Sequence, residues 1–369
     1  MIMNKTDYLN IEEASSVTRT VPDVIRRAIK NGLLIPLSIT EPDAPILFKR
    51  EEVEAWINPT RFHELLSTRL KRGPDAAFLG DFPCPNTYRQ KTIFNLPFKG
   101  QWFVLDGGNM KTSDGKTRNA HFYCEPCYRW ACDFIMIHPN DYAKTYIGMG
   151  HNEALCLRRR KGQPEDIPDV KCSEPEDDPM NAYWNILNPD GLEPHLNYLY
   201  EVEVIAPADG VFMTRDGKIE DAKFETKIER LAQEGVNGEM GFMLDHGNSE
   251  ISQIAHVLGR TIVVKPGDKV KRGQVLCKVG GRHSGLPHLH WAVRDSWCDY
   301  LASGLPVKIA ECSVYGEPDK TLGLETANNN YNSKEFLPCT DIYLQRGMIV
   351  ENLQPNKYNH TEEPSTFVK

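Results

Sequence analysis

The sequence has no apolar run near the ~18–20 residues that a membrane-spanning helix needs, and no apolar stretch follows its first residues as a secretory signal requires. It also has no excess of basic residues. Lysine and arginine number 43 against 51 aspartate and glutamate, so the net charge is −8, which argues against general binding to polyanions. We therefore expect a globular protein of the cytoplasm, unless lysis or a dedicated exporter releases it by a non-classical route.

A second Cys-x-x-Cys motif is missing as well. The chain has 10 cysteines, but only Cys124 and Cys127 show this spacing, and a structural zinc site would need another pair. Two interpretations stay open for the cysteines. They are either buried thiols, or Cys124 and Cys127 form a redox-sensitive pair.

Two histidines, His288 and His290, stand one residue apart just before an apolar run that begins at Trp291. Side chains alternate faces along a strand, so both imidazoles would project from one face if this run is a strand. Such a pair can place one nitrogen on a metal and hold the second nearby for proton transfer. The motif predicts a metal site, although two surface histidines at this spacing also occur by chance.

The rest of the chain could supply the other residues of such a site. A catalytic zinc usually takes three protein ligands and leaves one position for water. The strongest candidates are His121, Asp133 and His256. The last two end or interrupt apolar runs, as side chains that face a pocket from a buried strand would.

Several short motifs follow one another in a specific order between Trp102 and Asp295. Four of them are a strand with a glycine turn at 102–108, an Ala-Pro-Ala-Asp-Gly turn at 204–210, a Gly-Asp-x-Val hairpin at 266–274 and the His-x-His at 287–290. The others are short segments at 119–121, 128–134, 245–248 and 255–256. Together they resemble the lysostaphin/LytM-type zinc metallopeptidases, whose fold is the duplicated hybrid motif. The resemblance covers most of one domain.

This resemblance implies a mostly β catalytic domain of antiparallel sheets that acts as a zinc-dependent metalloendopeptidase. A metal-activated water would hydrolyse a peptide bond, with peptidoglycan peptides as the implied substrate. The resemblance further implies that His121, Asp133 and His290 bind Zn²⁺, and that His256 and His288 are catalytic histidines outside the metal's ligand set. The chemistry agrees, because a neutral imidazole is a good base near pH 7 and its protonated form stabilises developing negative charge.

Two other interpretations of the same motifs need comparison. A non-catalytic member of the family would use the groove to bind a peptide or to activate a partner. A biotinyl/lipoyl-type barrel shares the turn at 204–210 and the hairpin at 266–274, but it carries its cofactor on a lysine at a hairpin tip. No lysine stands at a matching tip here, and that fold leaves the histidines unexplained.

Residues 1–57 carry a different pattern. The sequence predicts a short helix, a turn, a second helix with Pro22 in its first turn and Gly32 after its end, and then a strand and a helix. This order resembles the small excisionase/MerR-like winged helix-turn-helix. We expect the module to have its own core, built from Leu9, Ile11, Ala14, Val24, Ile25, Ile29, Leu33, Val53 and Trp56.

DNA binding is one of two functions open to this module. The resemblance would place Arg19, Arg26, Arg27 and Lys30 on or beside a recognition helix. Yet residues 1–57 hold seven basic against nine acidic residues, and a DNA-binding domain is normally basic. A DNA-binding regulator and a packing or partner-recognition module therefore both stay open.

The sequence also predicts how the chain is divided. We expect the N-terminal module at 1–57, a linker at 58–95, the zinc metallopeptidase domain at 96–300, and a C-terminal extension with a loose tail at 301–369. Charged, proline-rich sequence predicts a surface insert near 140–200, and helical spacing predicts a second insert near 215–235.

Overall fold

The computed structural model describes residues 7–37, 45–58, 83–85, 87–107, 111–112, 126–136, 202–234, 239–280, 288–299, 301–315, 324–325, 337–345 and 348–353. Several sequence predictions lie outside these residues, among them the role of His121, the partner thiol Cys124, the insert near 140–200 and the loose tail after residue 353. Within the described part, no helix has the length and apolar character needed to cross a membrane.

Strands far outnumber helices among the described elements. The helices are α1 (Ile11–Thr18), α2 (Pro22–Lys30), α3 (Arg50–Trp56) and α4 (Phe224–Gln233). The strands are β1 (Tyr8–Leu9), β2 (Phe48–Lys49), β3 (Gln101–Asp106), β4 (Lys111–Thr112), β5 (Cys132–Met136), β6 (Glu203–Ile205), β7 (Gly210–Thr214), β8 (Glu239–Asp245), β9 (Ile251–Leu258), β10 (Lys269–Val270), β11 (Val275–Lys278), β12 (Leu289–Arg294), β13 (Lys308–Tyr315), β14 (Leu324–Glu325), β15 (Leu337–Tyr343) and β16 (Ile349–Glu351).

One antiparallel sheet of ten strands organises the molecule. Its order is β10–β7–β8–β9–β12–β5–β3–β16–β13–β15, while the pairs β1–β2, β6–β11 and β4–β14 form small ribbons. The mostly β, antiparallel fold predicted for the catalytic domain is therefore confirmed, together with a small helical region at the N-terminus.

Strand β12 lies in the middle of this sheet and is buried on both faces. Leu289, Trp291 and Val293 point to one face and join the main hydrophobic core. The alternate residues His290 and Arg294 project to the opposite face, as the two-residue period of a strand requires. The run after the His-x-His is thus a strand, and the two histidines face away from the core.

Parts of the chain outside residues 96–300 complete the same sheet and core. Strand β16 pairs with β3 on one side and with β13 on the other, so the segment predicted as a C-terminal extension contributes β13, β15 and β16. Phe94, in the segment predicted as a linker, is fully buried in the main core. The β fold thus uses chain from both sides of the predicted domain.

The N-terminal region has the predicted element order. Helix α1 begins with a capping box, in which the Asn10 side chain accepts from the Glu13 amide at 2.8 Å and Glu13 accepts in return from the Asn10 amide at 2.9 Å. A short turn at Arg19, with φ 51°, leads to α2 and its first-turn Pro22. These helices pack with the β1–β2 ribbon and α3. The predicted core residues are buried, except for the half-buried Ile11 and Ile29.

The N-terminal region shares its hydrophobic core with residues that follow β12, whereas the sequence predicted a separate core. Cys298 and Leu301, which follow β12, are buried in the same cluster, and Trp297 packs against its edge. The physical reason is the small size of a 57-residue unit, which buries too little apolar surface to be stable by a wide margin. Residues 295–301 extend that apolar surface.

Two arginines of the predicted recognition region are engaged inside the chain. Arg27 forms an ion pair with Asp295, both nearly buried, and donates to the Leu301 carbonyl at 3.2 Å. Arg19 donates to the carbonyls of Gly217 and Asp216 at 2.7 and 3.0 Å, and its guanidinium lies 4.2 Å from the Trp297 ring centroid. DNA binding by residues 1–57 stays a prediction. The guanidinium groups of Arg19 and Arg27 already bind groups of the same chain.

The Arg27–Asp295 pair should contribute strongly to stability. Replacing Arg27 with Ala leaves a nearly buried carboxylate unpaired, so we expect the free energy of unfolding to fall by about 3 kcal/mol at neutral pH. Chemical denaturation measures this. Arg26→Ala is the matched control, because Arg26 is 54% exposed and pairs with the exposed Asp23 and Glu12. The control should change stability by less than ~0.5 kcal/mol.

The same variant should also show a diagnostic pH dependence. Burial raises the pKa of the Asp295 carboxyl above its ordinary value, and Arg27 opposes that rise. Without Arg27 the pKa rises further, and a carboxyl pKa raised in the folded state favours folding at low pH. The deficit of Arg27→Ala should therefore be largest above neutral pH and shrink as the pH falls towards the ordinary carboxyl pKa. A deficit independent of pH would show that lost packing, not the charge, is responsible.

Candidate active site

Three neighbouring strands bring four of the five predicted site residues together. In the register of β5 and β12, Asp133 stands directly opposite His290. Nδ1 of His290 lies 2.9 Å from Oδ1 of Asp133, and Nε2 of His288 lies 3.6 Å from the same oxygen. Two imidazoles thus converge on one carboxylate. The fifth predicted residue, His121, lies outside the described residues.

His256 reaches the site through a β-bulge in β9. Met240 pairs with Val257 and Phe242 pairs with Ile254, so Ala255 and His256 together oppose a single residue of β8. The backbone of His256 has φ 61°, in the left-handed region that non-glycine residues rarely adopt. A bulge re-aims a side chain and is common beside active sites.

The re-aimed ring of His256 faces the two histidines of β12. Its centroid lies 4.4 Å from that of His288 and 6.0 Å from that of His290. The Gly280 amide donates to the His256 carbonyl at 2.8 Å, which holds the bulged backbone from the other side. The three imidazoles therefore form one cluster, and two of them lie beside Asp133.

Gly241 is the single residue opposite the bulge. A Cβ atom at this position would lie 3.2 Å from the Ile254 carbonyl oxygen and 3.3 Å from the Ala255 Cβ, closer than most such contacts. The absence of a side chain lets β8 and the bulged strand approach each other. A glycine within a strand often marks such a place.

Tyr128 is a site residue to which the sequence assigned no role. Its ring lies edge-on to His290, with the centroids 5.5 Å apart. Its hydroxyl accepts from Arg215 at 2.9 Å and from the Gln253 amide at 3.5 Å. Burial, followed by the nearby Cys127, raises the pKa of Tyr128 to about 12, so the phenol is neutral at physiological pH. Its place in the motif at 128–134 was visible, but not its contact with β12.

The donor atoms of the site suit a zinc ion. One carboxylate and imidazole nitrogens are typical zinc ligands, and Asp133 and His290 present such atoms 2.9 Å apart. Among the described residues alone, no group of three or more candidate ligands is complete. A third ligand would have to come from elsewhere, and His121 is the sequence-predicted one.

His246 is a half-buried histidine held by hydrogen bonds. Its Nδ1 lies 2.7 Å from the Asp209 carbonyl and its Nε2 lies 2.8 Å from the Ser252 hydroxyl. The Trp291 indole also donates to that hydroxyl, at 3.1 Å. Burial lowers the pKa of His246. Both ring nitrogens of His246 therefore have hydrogen-bond partners within the fold.

Part of the chain matches a known peptidase family. Residues 200–300 match the family model described as Peptidase family M23. The matched segment includes His256, His288 and His290, whereas Asp133 lies before it. No curated protein matches the chain.

Solved structures with similarity include Csd3 of Helicobacter pylori, lysostaphin and pseudoalterin, an M23 metalloprotease from the deep sea. Csd3 is 22% identical, with 26% of this chain and 21% of Csd3 covered and a TM-score of 0.17. Lysostaphin is 21% identical, with 26% of this chain and 33% of lysostaphin covered and a TM-score of 0.18. Pseudoalterin is 10% identical, with 70% of this chain and 100% of pseudoalterin covered and a TM-score of 0.28. The chain thus spans about a fifth of Csd3 and a third of lysostaphin, and TM-scores this low carry no structural argument.

The family match and the antiparallel sheet support a peptidase-like domain at residues 200–300, similar to peptidases of family M23. Its candidate site extends beyond the matched segment, because β5 supplies Asp133 and the turn at Pro126–Tyr128 supplies Tyr128.

The backbone at His256 generates a prediction that separates strain from side-chain function. A non-glycine residue in the left-handed region costs about 1 kcal/mol relative to glycine. We therefore expect the free energy of unfolding of His256→Gly to exceed that of His256→Ala by about 1 kcal/mol, although both variants lack the imidazole. Urea denaturation of the two variants checks this. Equal stabilities, or a more stable alanine variant, would contradict the bulged geometry.

Proposed function

We propose that this protein is a zinc-dependent metalloendopeptidase that hydrolyses a peptide bond in peptidoglycan peptides. The observation that carries the proposal is the convergence of His288, His290 and the bulged His256 around Asp133. The histidine side chains lie outside the main hydrophobic core, which is on the opposite face of β12. The M23 match of residues 200–300 supports the peptidase class.

The residues present fit a zinc ion. We assign Asp133 and His290 as two ligands, because their oxygen and nitrogen atoms approach each other within 2.9 Å, and His121 as the third by its motif. When bound, Zn²⁺ would lower the pKa of a coordinated water and polarise the scissile carbonyl. The surrounding strands hold both assigned ligands rigidly, which metal affinity requires.

His256 and His288 would carry the proton chemistry. Their rings lie 4.4 Å apart between centroids, so both can face the same substrate group. A neutral imidazole can accept a proton from the attacking water and deliver it to the leaving amine. A protonated imidazole can donate to the oxygen on which negative charge develops. The bulge at His256 fixes this ring before substrate binds.

Tyr128 would position His290 and line the groove. Its ring contacts the edge of the histidine, and its hydroxyl is oriented by Arg215 and Gln253. Because a phenol with a pKa of about 12 stays protonated, it can donate a hydrogen bond to substrate. The peptidoglycan substrate itself is proposed from the motif resemblance.

Four variants test the division between metal binding and catalysis. We expect about one zinc per chain in the wild type, measured by mass spectrometry of the metal. His290→Ala should lose most of it, because a ligand is removed. His288→Ala and His256→Ala should keep the zinc but lose peptidase activity on isolated cell walls by roughly a hundredfold or more. His246→Asn is the control, and it should retain zinc and activity per folded molecule.

The outcomes distinguish the competing functions. Full zinc occupancy in His290→Ala contradicts the ligand assignment. Zinc loss in His288→Ala would mean that the two histidines of the motif have exchanged roles. The chelator-treated protein is the blank for the activity assay. If the zinc-loaded wild type releases no more fragments from walls or peptides than this blank, the non-catalytic peptide-binding function is favoured.

A further inference from the structure

A pair of cysteines lies directly opposite each other on two strands far from the candidate active site. Cys312 of β13 pairs with Cys339 of β15 in an unbroken antiparallel register, between Glu311–Thr340 on one side and Ser313–Pro338 on the other. Residues directly opposite each other on such strands project to the same face with their Cβ atoms about 4.5–5.5 Å apart. The two thiols are therefore neighbours.

The register also sets the spacing of the two backbones. Residues directly opposite each other in an antiparallel pair have Cα atoms about 4.5 Å apart in non-hydrogen-bonded pairs and about 5.5 Å apart in hydrogen-bonded pairs. A disulfide needs Cα atoms about 4.4–6.8 Å apart.

The two thiols differ in their accessibility to solvent. Cys312 is fully buried, and burial together with the neighbouring Cys339 raises the pKa of its thiol to about 12. Cys339 lies on β15, the edge strand of the ten-stranded sheet, and is 7% exposed. Edge strands open locally more readily than central ones. A reagent would therefore meet Cys339 first, while Cys312 stays close behind it.

We propose that Cys312 and Cys339 are a disulfide-forming site that reacts with small-molecule disulfides such as oxidised glutathione. The thiolate of Cys339 attacks one sulfur of the oxidant, forms a mixed disulfide and expels one glutathione thiolate. The thiolate of Cys312 then attacks the Cys339 sulfur, closes the protein disulfide and expels the second glutathione. The two protein thiols lose two electrons and two protons in total, and the oxidant is reduced to two glutathione thiols.

The disulfide would attach the edge strand covalently to the sheet. Residues 313–338 lie between the two cysteines, so the closed loop restricts the unfolded chain and stabilises the folded one. The site is distant in the sheet from the candidate active site, since β16, β3 and β5 lie between β13 and β12. The inference therefore does not depend on the proposed peptidase activity.

The test is oxidation of the full-length protein, followed by identification of the linked cysteines. The protein is equilibrated with excess oxidised glutathione at a urea concentration below unfolding, which allows β15 to open. It is then quenched in acid, unfolded, alkylated and digested for mass spectrometry. We expect a linked peptide pair that joins Cys312 to Cys339. Cys277 is the internal control, because it is buried on β11 opposite Val204, not opposite a cysteine, and it should be alkylated fully.

Stability gives an independent measurement. The oxidised wild type should melt about 5–10 °C above the reduced protein, and the gain should be absent in Cys312→Ser and in Cys339→Ser. Where Cys312→Ser folds poorly, Cys339→Ser at the strand edge serves alone. Complete alkylation of both cysteines after oxidation, a stable glutathione adduct on Cys339, or a link from Cys339 to a different cysteine would each overturn the proposal.

Discussion

The antiparallel pairing of β12 with β5 on one side and β9 on the other is the constraint on which the site depends. In this register His290 stands opposite Asp133 on β5 and opposite Ala255 on β9. A slip of one residue would turn His290 into the core and expose Trp291, because side chains alternate with a period of two. The burial of Leu289 and Trp291 therefore fixes the position of the histidines, and core packing and site geometry are one requirement.

In the bulge of β9, regular pairing gives way to the needs of the site. A regular strand would give Ala255 and His256 opposite faces, with His256 directed to the core side. The extra residue and the left-handed backbone of His256 turn its ring towards His288. Gly241 allows the two strands to stay close despite the irregularity. Local strain at His256 is thus held by the surrounding sheet, as is common at functional sites.

The sequence predicted those features that depend on local period and motif order. The alternation of His288 and His290, the following strand and the β fold belong to this group. The left-handed backbone of His256 could not be predicted, because this conformation is uncommon for any residue other than glycine. Nor could the shared core around Cys298, or the insertion of β16 between β3 and β13. Contacts between distant segments depend on which apolar surfaces meet in three dimensions, and a one-dimensional pattern does not contain that information.

The end of β12 also determines how the N-terminal region is attached. Asp295 follows the strand directly and forms the nearly buried ion pair with Arg27, so one short segment carries the histidines at its start and the docking contact at its end. An arginine held against a buried carboxylate cannot contact a phosphate at the same time. Arg19 is likewise engaged with backbone carbonyls, and the exposed Arg26 already lies beside two carboxylates. The acidic balance of residues 1–57 and the use of these arginines therefore both favour a packing role over DNA binding.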